Sequence, residues 1–142
     1  MSQTRIVIFE DELLLANDLK RQIMSLGYDV SAMFGKAEEG LAYLEKIENK
    51  EEFPEVILMD VSLAGTMTGI EAAEIITYRY HCGVVFLSGV NQPEVYERCF
   101  KDHPRAFLLK PFDISQAIFT IRLAKYLNDL EIQLQQYQLK SQ

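Results

Sequence analysis

Apolar positions in this chain fall into short continuous runs separated by segments with helical spacing. Residues 5–9, 56–59 and 83–87 are almost uninterrupted Ile, Val, Leu, Met and Phe, the pattern of strands buried on both faces. Residues 28–34 are less apolar and mix β-branched with aromatic side chains, which predicts an edge strand. Residues 105–109 form a fifth run. Between these runs, Leu15, Leu19, Ile23 and Leu26 recur at helical spacing and stop at Gly27, a C-cap candidate. Residues 36–49 read as a helix with Leu41, Leu44 and Ile47 inward, and residues 70–80 as a helix with Ile70, Ala73, Ile76 and Tyr80 on one side. Pro54 marks the loop before the 56–60 run. Pro93 suits the first turn of a helix reaching about Lys101, and Asp113 is the N-cap candidate of the last helix. Strand and helix alternate five times, which predicts an α/β fold: a doubly wound parallel sheet with helices on both faces.

The last helix carries two stripes. Ile114, Ala117, Ile121 and Ala124 suit packing on the sheet, whereas Leu123, Leu127, Leu130, Leu134 and Tyr137 repeat at spacings of four and three. At about 100° per residue the second stripe lies well around the helix from the first. The chain therefore divides into a domain over residues 1–126 and a helical extension over 127–142. The extension reads as a coiled-coil seam that makes a homodimer, or as a connector to a further domain. A frayed, Gln-rich end is the plain alternative.

Composition changes this picture only in part. The 142 residues, 49% apolar and 25% charged, suffice for one domain with a real core. A net charge of −7 opposes a polyphosphate, so no nucleic acid is expected to bind this chain alone, while a cation or a partner with a basic face is favoured. Cys82 and Cys99 have no zinc-ligand or redox-pair spacing and read as reduced, buried thiols. No apolar stretch approaches the ~18 residues of a membrane span. The first residues lead straight into a strand-like run without a signal-peptide core. A soluble, cytoplasmic protein is the expectation.

Polar groups stand at four of the five strand ends: Glu10 and Asp11, Asp60, Ser88, and Lys110. In a parallel sheet these ends share one edge, where open α/β folds bind ligands. Singly, each has a plain reading: a turn or cap for Asp60 and Ser88, a solvated helix start for Glu10 and Asp11, a surface charge for Lys110. Together they make a site. Three carboxylates repel one another unless a cation lies between them, and oxygen ligands suit Mg2+. A metal, a lysine and a hydroxyl around one aspartate are the equipment of phosphoryl transfer, with Asp60 attacking in line to become an acyl phosphate.

On these residues, with Gly69 after the acceptor loop, Gly89 after Ser88, and Pro111 and Asp113 after Lys110, the chain resembles the receiver domain of two-component response regulators over about residues 4–125. The resemblance implies a flavodoxin-like strand order 2-1-3-4-5 and a phosphoryl donor that is a histidine kinase or phosphotransfer protein. It implies Mg2+ held by Asp11, Asp60 and the backbone carbonyl of Ser62, with Glu10 acting through a water. Lys110 would pair with the phosphoryl group, and its peptide bond to Pro111 would be cis. Ser88 and Phe107 would form the switch: Ser88 is drawn inward, Phe107 turns into the vacated space, and the face of the fourth helix, fifth strand and fifth helix is remodelled. For Phe107 a plain core aromatic is the competing reading.

Glu10 stands where the family more often has Asp, Ser88 replaces the commoner Thr, and Phe107 has no hydroxyl. The loop from Asp60 to Gly69 is one residue longer than the commonest form. Two other classes compete with the switch. A phosphohydrolase of the haloacid-dehalogenase type needs a second Asp two residues after its nucleophile, and that position is Ser62. A phosphorylation-independent interaction module, or the receiver piece of a larger hybrid kinase or output protein, keeps the fold with a different role. His81 and His103 sit at loop-like places and do not suit a phosphoryl donor.

Overall fold

In a computed structural model, residues 3–89, 92–101 and 105–141 are described. Five parallel strands, β1 (Arg5–Phe9), β2 (Asp29–Phe34), β3 (Val56–Asp60), β4 (Gly83–Ser88) and β5 (Ala106–Leu109), lie in the order β2-β1-β3-β4-β5. Each crossover is a helix: α1 (Leu13–Ser25), α2 (Ala37–Glu45), α3 (Gly69–Arg79) and α4 (Pro93–Phe100), with α5 (Ile114–Lys140) closing the chain. Alternation along the strands sorts the core into two layers. Ile6, Ile8, Val56 and Leu58 face α1 and α5, while Val7, Phe9, Ile57 and Met59 face α2, α3 and α4. Because both faces are covered, every residue of β3 and β4 is buried. β2 sits at the edge, as its weaker apolar pattern requires, and most of its residues are only half-buried.

Helix ends are where pattern and structure part. α2 stops at Glu45, short of the expected Asn49. Ile47 N–H donates to Leu44 O at 3.2 Å, a tightened last turn. The Asn49 side chain then accepts from Glu51 N at 3.0 Å, nucleating a 3-10 turn (Lys50–Glu52) in place of more helix. Leu41 and Ile47 are consequently half-buried, and Leu44 alone of the three is fully inside. Leu26 lies beyond the end of α1 and is exposed; the inward face there is Ala16, Leu19 and Ile23. Tyr80 ends α3 at the C-cap and packs on Phe53 with ring centroids 4.6 Å apart.

Two helix starts follow their sequence signals closely. Thr68 and Glu71 form a capping box on α3, and Asp113 and Gln116 form one on α5. From Asp113 onward α5 runs without a break through residue 126, so residues 127–140 continue an element of the domain. Cys82 and Cys99 are buried and unbridged. His81 lies in an exposed loop, and His103 falls outside the described residues. Among the described residues no helix is long and apolar enough to cross a membrane.

Candidate functional site

Parallel topology brings the strand ends to one edge, and the expected groups meet there. Glu10 follows β1, Asp60 ends β3 and Ser88 ends β4; all three are buried. Asp11 is exposed beside them, and Lys110 follows β5. Lys110 N–H donates to Ser88 O at 2.8 Å, extending the β4–β5 ladder one step so that the lysine turns inward. The next bond, Lys110–Pro111, is cis. Lys110 Nζ lies 2.9 Å from Asp60 Oδ2 and 2.6 Å from Glu10 Oε1. Ser62 N–H donates to Asp60 Oδ1 at 2.8 Å, which fixes the carboxylate and bends the acceptor loop over it. Gly69 starts α3 against the back of Asp60: a Cβ there would stand 1.8 Å from the Asp60 carbonyl oxygen, so glycine is required by close approach.

Burial and charge pull against each other here. Burial raises the Glu10 carboxyl above its ordinary value, Lys110 opposes this, and the neighbouring Asp60 carboxylate adds to it. Burial alone would lower the Lys110 ammonium, but hydrogen bonds and attraction from Glu10 and Asp60 outweigh it, and its pKa is raised. The lysine is thus held charged between two acids. Glu10 Oε1 is buried and meets the Lys110 ammonium at 2.6 Å, whereas Oε2 accepts from Glu12 N at 3.1 Å.

Glu10, Asp11 and Asp60 each place a carboxylate oxygen within 4.8 Å of the others. Hard oxygen donors in that arrangement fit a small divalent cation. Phe107 is half-buried in β5 and leans on α4, with its ring 4.6 Å from Tyr96 and 6.3 Å from Phe100. A Cβ added at Gly89 would meet nothing within 4 Å, leaving open space beside Ser88.

One site residue is absent from the sequence reading. Glu38, in the first turn of α2, accepts from Met67 N at 3.0 Å and from Thr66 Oγ1 at 3.4 Å. A lone parallel bridge between Lys36 and Ala64 lies alongside, and Gly65 takes φ +94° to pass close to the Glu38 carboxylate. The acceptor loop is thereby tied to α2. In sequence, Glu38 and Glu39 look like ordinary acids favoured at a helix N-terminus; the long loop is the only hint that something must hold it.

The fold and these strand-end groups define a doubly wound α/β domain with acidic, hydroxyl and lysine groups gathered at one sheet edge. The family model described as the response regulator receiver domain matches residues 6–122, and the chain belongs to that family. It is similar to the transcriptional regulatory protein PdtaR of Mycobacterium tuberculosis, 34% identical over 122 residues, covering 84% of this chain and 56% of that protein. It is also similar to the phyllosphere-induced regulator PhyR of Methylorubrum extorquens, 30% identical over 123 residues, covering 82% of this chain and 44% of that protein. The chain thus spans about half the length of these relatives. Among solved structures, the signal receiver domain of a modulated diguanylate cyclase from Desulfovibrio desulfuricans G20 superimposes with a TM-score of 0.80 at 27% identity, covering 92% of this chain and 99% of that one.

Proposed function

We propose that this receiver is a phosphorylation-activated switch in a two-component phosphorelay, with Asp60 as the acceptor. The observation that carries it is the buried Asp60 carboxylate held 2.9 Å from Lys110 Nζ, with Glu10 and Asp11 beside it. A histidine kinase or phosphotransfer protein supplies a phosphohistidine. An Asp60 carboxylate oxygen forms the new bond to phosphorus as the P–N bond breaks, and the leaving imidazole keeps the electron pair and takes a proton. Glu10, Asp11, Asp60 and the Ser62 carbonyl are the groups to hold Mg2+, which when bound supplies counter-charge to the phosphoryl oxygens. Lys110 exchanges Asp60 for a phosphoryl oxygen, and the Ser88 hydroxyl donates to another. Water later hydrolyses the acyl phosphate, so the chain is an acceptor and not a turnover enzyme.

Movement of Ser88 toward the phosphoryl group opens space for Phe107, whose ring already contacts Tyr96 and Phe100 of α4. Phosphorylation is thereby read out on the α4–β5–α5 face. The last helix pairs two copies of the chain. Its acidic charge sets this chain apart from nucleic acid, and its buried thiols suit the cytoplasm. Incubation with acetyl phosphate and Mg2+ should produce an acyl phosphate that hydroxylamine removes. Persistence of that label in Asp60→Asn would overturn the assignment.

A further inference from the structure

α5 is apolar on two nearly opposite faces. Ala117, Ile121 and Ala124 are buried against the sheet, while Phe119, Leu123, Tyr126, Leu130, Leu134 and Tyr137 are exposed. At about 100° per residue the exposed stripe is centred about 150° around the helix from the buried one. It differs from the stripe expected from sequence in two ways. It begins at Phe119, inside the domain, and it leaves out Leu127, which is half-buried in a groove with Cys82, Gly83 and Arg105 of its own domain while Leu130 and Leu134 stand exposed at the rim of that groove. The exposed stripe keeps the four-three spacing of a helix-pairing seam through Leu130. A helix projecting such residues into water has poor stability by itself.

The charges beside the seam select its partner. Arg122 and Asp129, both exposed, stand one heptad apart on the same flank. In an antiparallel pair of identical helices like flanks meet, so a lysine- or arginine-bearing flank faces itself in reverse. We propose that two copies of this chain pair antiparallel through α5, about a two-fold axis between Ala124 and Lys125. Phe119 then packs against Leu130 of the second copy and Leu123 against Tyr126, with each Arg122 opposite Asp129 of the other. Sliding by one heptad in either direction sets Arg122 against Arg122 or Asp129 against Asp129, which like-charge repulsion disfavours. A parallel pair turns this flank toward Leu127 and Leu134, so that Arg122 faces apolar side chains and Asp129 keeps only Lys125 of its own helix, 2.9 Å away. Only the antiparallel register is both apolar at its centre and charge-matched at its edge, and it is self-complementary as a two-fold interface must be. Each extension then runs beside the first turn of the other copy's α5, next to Pro111 and Phe112.

The inference rests on reading the last helix as a pairing element, and sedimentation of the full chain separates the two. Wild type should be a dimer at concentrations on the order of 100 µM. Arg122→Glu and Asp129→Arg should each weaken it about tenfold, and the double charge swap should restore it to within about threefold. These side chains are exposed, so circular dichroism should be unchanged in all three variants. A wild type that stays monomeric overturns pairing through α5 altogether. A dimer that ignores the single swaps, or a double swap no better than either single, overturns this register and leaves pairing by another seam. Self-cross-linking of Tyr137→Cys would likewise overturn it in favour of a parallel pair, because this axis sets the two copies of residue 137 about 37 Å apart along the helices.

Discussion

At the scale of single residues the site is a charge balance. Lys110 is the one cation among the described residues in contact with both Glu10 and Asp60, and removing it leaves two buried acids facing each other. Lys110→Ala should therefore lose about 1–3 kcal/mol in urea denaturation without metal, and Mg2+ should recover part of that loss. An unchanged midpoint would show that the triad contributes nothing to folding. Alkaline stability follows from the thiols. Burial pushes Cys82 up to about 12 and Cys99 up to about 11, against an ordinary 9.0. The unfolded chain releases these protons near pH 9 while the folded chain holds them, so stability falls as pH rises between 9 and 11, by up to about 1.4 kcal/mol per pH unit for each thiol. The raised Lys110 contributes stability below its unfolded value that is lost at still higher pH, in the same direction. Cys82→Ala should flatten the decline between urea curves taken at pH 8 and pH 10.

At the scale of elements, strands were legible because burial on both faces leaves a continuous apolar signature, as in Val56 to Met59. Helix ends were less so, because short side-chain hydrogen bonds decide them. α2 ends at Glu45 and Asn49 caps a separate 3-10 turn after it, and nothing in the Leu41, Leu44, Ile47 spacing reports either. The same blindness hid Glu38, whose role depends on a loop 28 residues away meeting it in space. Glu38→Ala should free residues 64–67 and weaken Mg2+ binding several-fold in calorimetric titration, with a stability change below about 1 kcal/mol because the group is exposed. Glu38→Gln should recover part of the affinity, since its amide oxygen can still accept from Met67 N. Equal Mg2+ affinity in all three proteins would remove Glu38 from the site.

At the scale of the whole molecule, alternation of strand and helix determined the topology, and topology assembled the site. Glu10, Asp60, Ser88 and Lys110 were legible as a group only because parallel strands must end on one edge. Spacing alone does not tell which residues of α5 the domain itself covers: Leu127 is half-buried, whereas Phe119 is exposed. The switch proposed for this domain depends first on Asp60 as the acceptor. The most direct test is borohydride trapping after incubation with acetyl phosphate and Mg2+, followed by peptide mass spectrometry. The acyl phosphate should be reduced at Asp60, and no product should form when Mg2+ is chelated. Trapping at another residue, or at Asp60 regardless of metal, would contradict the assignment.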